Sequence, residues 1–284
     1  MSTPPLSRPA IKDPRVVPVT GTDAHLPAVA PERLTAAWLR ERFLHPPALD
    51  PEIPGDGGFF PGRTPTQAAV LIPLVQRAHG LQVLLTQRTA HLRDHAGQVS
   101  FPGGRAEPED GSPERTALRE AQEEIGLEER HVDLIGQLPV YRTVTAYEVT
   151  PVVALVQPGF SLRLDAFEVA EAFEVPLAFL MNPAHHRRHT FEYVVDGAVN
   201  GAMTGGVTGG VNGGVNGAVD GAREGHDGPL LGRRQFLSMP WTGPGLAVST
   251  ADPDAGLTVG TPKEFFIWGA TAAMLRNLYR FLQA

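Results

Sequence analysis

The sequence contains no cysteine. That absence excludes disulfides, thiolate nucleophiles and cysteine-ligated zinc or iron–sulfur centres, and it leaves a metal only oxygen or imidazole ligands. Positive charge is also scarce: 24 Lys and Arg stand against 31 Asp and Glu, a formal net charge of −7. A nonspecific grip on nucleic acid needs a dense basic face to neutralise phosphates, so no nucleic-acid partner is expected. No run approaches the roughly 18 consecutive apolar residues of a membrane span, and the opening Met1-Ser2-Thr3-Pro4-Pro5 lacks a basic region followed by an apolar core. The expected setting is cytoplasmic, with no membrane partner. What is present, 42% hydrophobic residues in 284, suffices for one or two domains with a sizeable core.

Proline-rich text makes residues 1–65 read as an N-terminal arm, extended and partly mobile over its first thirty residues. Within it, Pro31 to Leu44 carries apolar residues at helical spacing with proline in the tolerated first turn, which predicts a docking helix. Residues 66–284 read as the main domain. The Val- and Leu-rich runs Ala68–Val75 and Leu81–Thr86, separated by Ala78-His79-Gly80, predict a hairpin. A helix is expected from Pro113 to Ile125, strand text runs from Val140 to Val156, and a short helix is expected at Pro176–Met181. A strand at Thr190–Val195 and a last amphipathic helix near Phe265–Leu282 complete the pattern, which mixes strands and helices as an α/β or α+β domain does.

Between residues 197 and 228 the composition changes, with 12 of the 31 glycines in units such as Gly-Gly-Val-Asn. The period of about four excludes a collagen repeat, and the aspartates are too few for a calcium-binding roll. Glycine loses the most backbone entropy on ordering and the isolated valines offer little to bury, so the stretch is expected to be a disordered insertion in a surface hairpin.

The chemistry concentrates in Arg119-Glu120-Ala121-Gln122-Glu123-Glu124-Ile125-Gly126-Leu127. Ser112 can cap this helix, Pro113 fits its first turn, and Gly126 can take the left-handed conformation that stops it. Glu120 and Glu124 lie one turn apart with Glu123 beside them, so three carboxylates are expected to converge. Such an oxygen cluster suits a hard divalent cation, with Mg²⁺ or Mn²⁺ the natural occupant; a solvated acidic face is the other reading of the nonapeptide alone. Upstream, Phe101-Pro102-Gly103-Gly104 forms a tight glycine turn that lets backbone groups approach metal and phosphate. A cation beside such a loop suits attack of water on a diphosphate.

These residues resemble the Nudix hydrolases, whose box reads Gly, five residues, Glu, seven residues, then Arg-Glu-aliphatic-any-Glu-Glu-any-Gly-aliphatic. Arg119, Glu120, Glu123, Glu124, Gly126 and Leu127 match the second half. Ala121 replaces a larger aliphatic residue, and five residues on from Gly104 stands Asp110, followed by eight residues rather than seven. The stretch Leu84 to Gly104 is similar to the signature of the coenzyme A pyrophosphatase subgroup, with Thr89 where Ser or Ala is usual. Ile267-Trp268-Gly269-Ala270-Thr271-Ala272 resembles that subgroup's C-terminal helix start. The resemblance implies an α/β/α sandwich with a mixed sheet between helices, an enzyme, and a small nucleotide substrate.

The resemblance also implies roles. Glu120 and Glu124 should ligate the cation, Glu123 should be a third ligand or base, and the Gly104 carbonyl a further ligand. Arg119 should orient the glutamates. Arg88, Arg93 and His95, with Gly103 and Gly104, are candidates for phosphate or nucleotide contact, since arginine suits bidentate phosphate binding. Among Glu168, Glu171 and Glu174, Glu171 is favoured as an auxiliary base or ligand. His185, His186 and His189, interleaved with Arg187 and Arg188, read as a basic patch rather than a zinc site. The substrate expected is coenzyme A or an acyl derivative; NADH, ADP-ribose or dinucleoside polyphosphates are alternatives, as is a silent nucleotide-binding module. Oligomeric state is not legible.

Overall fold

A computed structural model describes residues 11, 13–56, 64–92, 95–194, 231–248 and 257–284. The glycine-rich insertion at 197–228 and Arg93 lie outside the described residues. The chain begins with β1 (Val19–Thr22) and α1 (Ala36–Leu44), then β2 (Thr66–Arg77), β3 (Gly80–Arg88), β4 (Val99–Ser100) and β5 (Gly103–Arg105). Next come α2 (Pro113–Ile125), β6 (Val132–Gln137), β7 (Tyr141–Arg142), β8 (Tyr147–Val156), β9 (Val169–Pro176) and the single turn α3 (Leu177–Leu180). Finally β10 (Arg187–Val194), β11 (Leu231–Ser238), β12 (Trp241–Gly243), β13 (Leu246–Val248), β14 (Leu257–Val259) and β15 (Lys263–Phe265) lead into α4 (Gly269–Gln283).

The central sheet runs in the order β14-β13-β9-β3-β2-β8-β6, with β4, β5 and β7 paired along its flanks. Every neighbour on this path is antiparallel except β2 and β8, which run parallel with Thr66 opposite Tyr147 and Val75 opposite Val156. A parallel pair needs a crossover, and α2 lies within it. β2 is buried on both faces, as a strand between two helical layers must be. Ala69, Leu71 and Val75 pack under α2 with Ala117, Ala121 and Ile125, whereas Ile72 and Leu74 join the opposite core with Leu39 and Phe43 of α1 and Leu275, Leu278 and Leu282 of α4. The result is the expected mixed-sheet sandwich, helix layers on both faces.

Residues 13–30 depart from the mobile arm expected of them, and residues 31–56 dock as well. β1 pairs antiparallel with β10, which pairs in turn with β11, and Val17, Val29 and Ile53 are buried. The polar residues of this stretch complete the anchorage. Asp23 bonds Arg188 and Arg276, and Arg276 also reaches Glu52 at 2.8 Å. Asn277 of α4 exchanges two hydrogen bonds with the backbone of Ile53.

The histidines are not a basic patch. His186 is wholly buried; its Nε2 donates to the Leu180 carbonyl, so its Nδ1 accepts from Arg276, and burial pulls its pKa down to about 4. His189 is buried between the Val17 carbonyl and Ser238, stacked on Phe236, and His185 stacks on Phe179. Other differences are local. The last helix starts at Gly269 because Lys263–Phe265 pair with β12. The strand text at 140–156 divides into β7 and β8 around a turn, where Ala146 takes a positive φ.

Candidate active site

Helix α2 forms where the caps predict. Ser112 Oγ accepts from the Arg115 N–H, Pro113 opens the first turn, and Gly126 closes the helix at φ 67°. The apolar face of α2 sits on the sheet, which turns Glu120 and Glu124 toward β5. There the two glycines are required. A Cβ on Gly104 would stand 2.6 Å from a Glu120 carboxylate oxygen, and one on Gly103, at φ 154°, would stand 2.5 Å from the Ala69 carbonyl. The Gly103 N–H donates to Glu124 Oε2 at 3.2 Å.

Glu124 is buried with incomplete compensation: beyond the Gly103 N–H, its counter-charge is the Arg88 guanidinium at 3.8 Å. Burial, reinforced by the charges of Glu120 and Glu168, pushes its carboxyl up to about 8. Glu120 is also raised, by burial first and then by Glu123 and Glu168, against the pull of Arg119. Arg88 Nε is itself buried and has no hydrogen-bond partner among the described residues.

Arg119 lies against two of the glutamates it is expected to orient. Its guanidinium bonds Glu120 and Glu123 at 3.0 and 2.9 Å, the Arg105 carbonyl, and both oxygens of Asp110. Asp110 therefore supports the box from its longer loop, also taking Thr116 and the Glu107 N–H, and Arg119 holds its carboxyl well below the usual range.

Two expectations change. The three carboxylates do not form one cluster: Glu123 is exposed and meets Glu120 at the Arg119 nitrogen that both bond, whereas Glu124 is buried. Among the described residues no group of three His, Cys, Asp or Glu side chains is poised as a metal cage. Glu171, the favoured auxiliary carboxylate, faces away. It precedes Ala172, which packs under α2, and so shares the other face with Phe173, where Lys263 pairs with it. Glu168, from the same segment, is the carboxylate whose charge acts on both Glu120 and Glu124. His95 stands on the signature loop at φ 58°, bonded to Gln98.

The donor set fits a hard cation. Two carboxylates raised by burial and by neighbouring negative charge, with the Gly104 backbone against one of them, offer oxygen ligands and too little positive charge of their own. Mg²⁺ in particular is held by one or two carboxylates together with waters and substrate phosphates rather than by an all-protein cage. Glu120, Glu124 and the Gly104 carbonyl are the groups that would hold it.

The family comparison coincides with this geometry: the matched residues are 65–201 and the family is described as NUDIX domain. Over that stretch the chain matches the NUDIX domain family. The chain is 52% identical over 113 residues to the Uncharacterized Nudix hydrolase NudL of Escherichia coli (strain K12), covering 39% of this chain and 58% of that protein. The Shigella boydii serotype 18 protein of the same name matches with the same identity and coverage. The chain thus spans a little under 60% of the length of these curated relatives. Among solved structures it is similar to a C. elegans Ap4A hydrolase in a binary complex, at 20% identity, 39% of this chain, 80% of that one and a TM-score of 0.34. No described helix is long and apolar enough to cross a membrane.

Proposed function

We propose that this chain is a divalent-metal-dependent diphosphatase that hydrolyses a nucleoside diphosphate linked to a second group. The observation that carries this reading is the pair of buried Glu124 and half-buried Glu120, both raised first by burial and then by neighbouring carboxylates, beneath Gly103-Gly104 and beside Arg88, whose buried Nε has no partner among the described residues. A divalent cation, Mg²⁺ or Mn²⁺, would polarise the phosphoryl oxygens and acidify the attacking water. Arg88 binds a diphosphate oxygen, exchanging its long contact with Glu124 for a charge-assisted bond. Arg119 and Asp110 hold Glu120 in place. Glu168, whose side chain makes no hydrogen bond or ion pair among the described residues, accepts the proton of the water; this role replaces the one expected of Glu171.

The substrate favoured is coenzyme A or acyl-CoA, cleaved to 4′-phosphopantetheine or its acyl form and adenosine 3′,5′-bisphosphate. Support comes from the near-continuous resemblance of the stretch between Leu84 and Gly104 to the coenzyme A pyrophosphatase subgroup's signature, which includes Arg88, Arg93, His95 and the two glycines. The test is kcat/KM for coenzyme A, dephospho-coenzyme A, ADP-ribose and NADH under one metal condition. Coenzyme A should lead, with dephospho-coenzyme A lower by about tenfold for one lost charge-assisted contact. Faster turnover of ADP-ribose or NADH would overturn the substrate and leave the diphosphatase; no turnover of any would overturn both.

A further inference from the structure

Next to Glu168 in the chain stands a residue that folding alone does not explain. Phe167 is 65% exposed, although the backbone that carries it is fixed on every side. The Asp165 N–H bonds the Glu124 carbonyl at the end of α2, and the Phe167 N–H bonds Asp165 Oδ1 at 2.8 Å. From the sheet, Thr89 takes two grips: its hydroxyl donates to the Phe167 carbonyl at 2.7 Å and its N–H to the Glu168 carbonyl at 2.9 Å. The loop is thereby tied to α2 on one side and to the signature strand on the other. A phenyl ring held this firmly and left in water is being presented. Exposed His91 meets it with ring centroids 4.8 Å apart and planes at 60°, a geometry that leaves part of the phenyl face uncovered.

We propose that Phe167, with His91 against it, is the platform on which the base of the nucleoside diphosphate stacks. The placement follows from chain neighbours: Glu168 follows Phe167 and acts on the metal-binding carboxylates, while Arg88 precedes Thr89 and faces Glu124. A diphosphate held by Arg88 has one nucleoside arm to seat, and the rim closest in sequence to both groups is aromatic. A planar π-system matches such a surface with little regard to hydrogen bonding, so the platform selects for a base without fixing which one. Asp165 and Glu168 on either side in the chain make it a poor seat for an apolar protein surface. Thr89 is the positioning residue, and its hydroxyl is what the clamp uses.

The inference rests on the diphosphatase reading, and binding separates the two. In Mg²⁺ buffer, titration calorimetry measures the affinity of α,β-methylene-ADP and of methylenediphosphonate, which shares the diphosphate but has no base, for wild type, Phe167→Ala and Phe167→Trp. Phe167→Ala should weaken the nucleotide analogue by about tenfold, within the range of losing one base–aromatic stack, and leave methylenediphosphonate within twofold. Phe167→Trp should restore nucleotide affinity. In turnover, the alanine variant should raise KM for base-bearing substrates and keep kcat, as loss of uniform binding does. Equal weakening of both probes, or of neither, overturns the platform, as does a change in oligomeric state on gel filtration of Phe167→Ala. A wild type that hydrolyses diphosphates with an indifferent Phe167→Ala sinks the platform alone, whereas a wild type that hydrolyses none sinks the function beneath it.

Discussion

Replacing Glu124 by Gln should do opposite things to stability and to activity. The Glu124 carboxyl is buried and pushed from 4.5 up to about 8, so in the metal-free protein folding must either neutralise it or bury its charge. Because the folded value lies above the unfolded one, this group takes stability away as pH rises from about 4.5, and the whole penalty is present above about 8. At pH 7 the penalty corresponds to about 3 kcal/mol at 1.36 kcal/mol per pH unit above 4.5. A glutamine side chain can still accept from the Gly103 N–H, and it carries no charge to bury. With EDTA present, Glu124→Gln should therefore equal wild type near pH 4 and exceed it in urea denaturation at pH 7 by an amount of order 2–3 kcal/mol. Added Mg²⁺ or Mn²⁺ should stabilise wild type and not the variant, since only a group that binds the folded state shifts the equilibrium. Turnover should fall by at least about 10²-fold. The reasoning fails if metal-free wild-type stability is flat between pH 4.5 and 8, or if the variant keeps near wild-type activity at limiting metal.

Glu168→Gln should lower kcat by at least about tenfold while Glu171→Gln leaves it within twofold, and the reverse order would return the auxiliary role to the Lys263 side of the sheet. Asp110→Asn breaks a bidentate pair with Arg119 and should cost about 2 kcal/mol in chemical denaturation near neutral pH. Since Asp110 is held below its ordinary value of 3.8, its contribution is full above that pH and is lost below it, so variant and wild type should converge in acid. Removing residues 200–224 should leave melting temperature and specific activity nearly unchanged, because loop closure changes by only about 0.6 kcal/mol per doubling of length. Loss of activity in a folded deletion would show that the tract serves the site.

The parts of this molecule legible in the sequence are those fixed by short-range rules. Ser112, Pro113 and Gly126 bracket α2 because capping and left-handed closure depend on residues within one turn. The hairpin of β2 and β3 turns at Gly80, which has φ 113°, where a glycine stood between two apolar runs. What escaped depends on which face a side chain takes after the chain has crossed the molecule. Glu168 and Glu171 sit three residues apart in one acidic segment, and only the pairing of β9 with β3, irregular beside Arg88, puts one near α2 and the other against Lys263. Glu123 looked convergent because helical spacing gives angular neighbours; it does not say that Arg119, itself pinned by Asp110, draws one of them outward. Proline content made the N-terminal stretch look mobile, and nothing local announced that Asp23 and Glu52 would meet Arg276 in the last helix.

The clasp of Asp23, Glu52 and Arg276 means that the family domain and the folding unit are different objects. Residues 65–201 contain the glutamates of α2 and the glycines of β5, yet one face of their sheet, with Ile72, Leu74 and Phe173, is covered by α1 and α4 from outside that range. A fragment cut to those bounds would carry the proposed metal-binding side chains and leave an apolar sheet face in water, so it should aggregate rather than act. Closing that face requires Ile53 to find Asn277 across 224 positions of chain, an ordering that must be made before the burial that rewards it. Folding should accordingly be slow for a chain of this size, with the two ends docking late and the chemistry waiting on both.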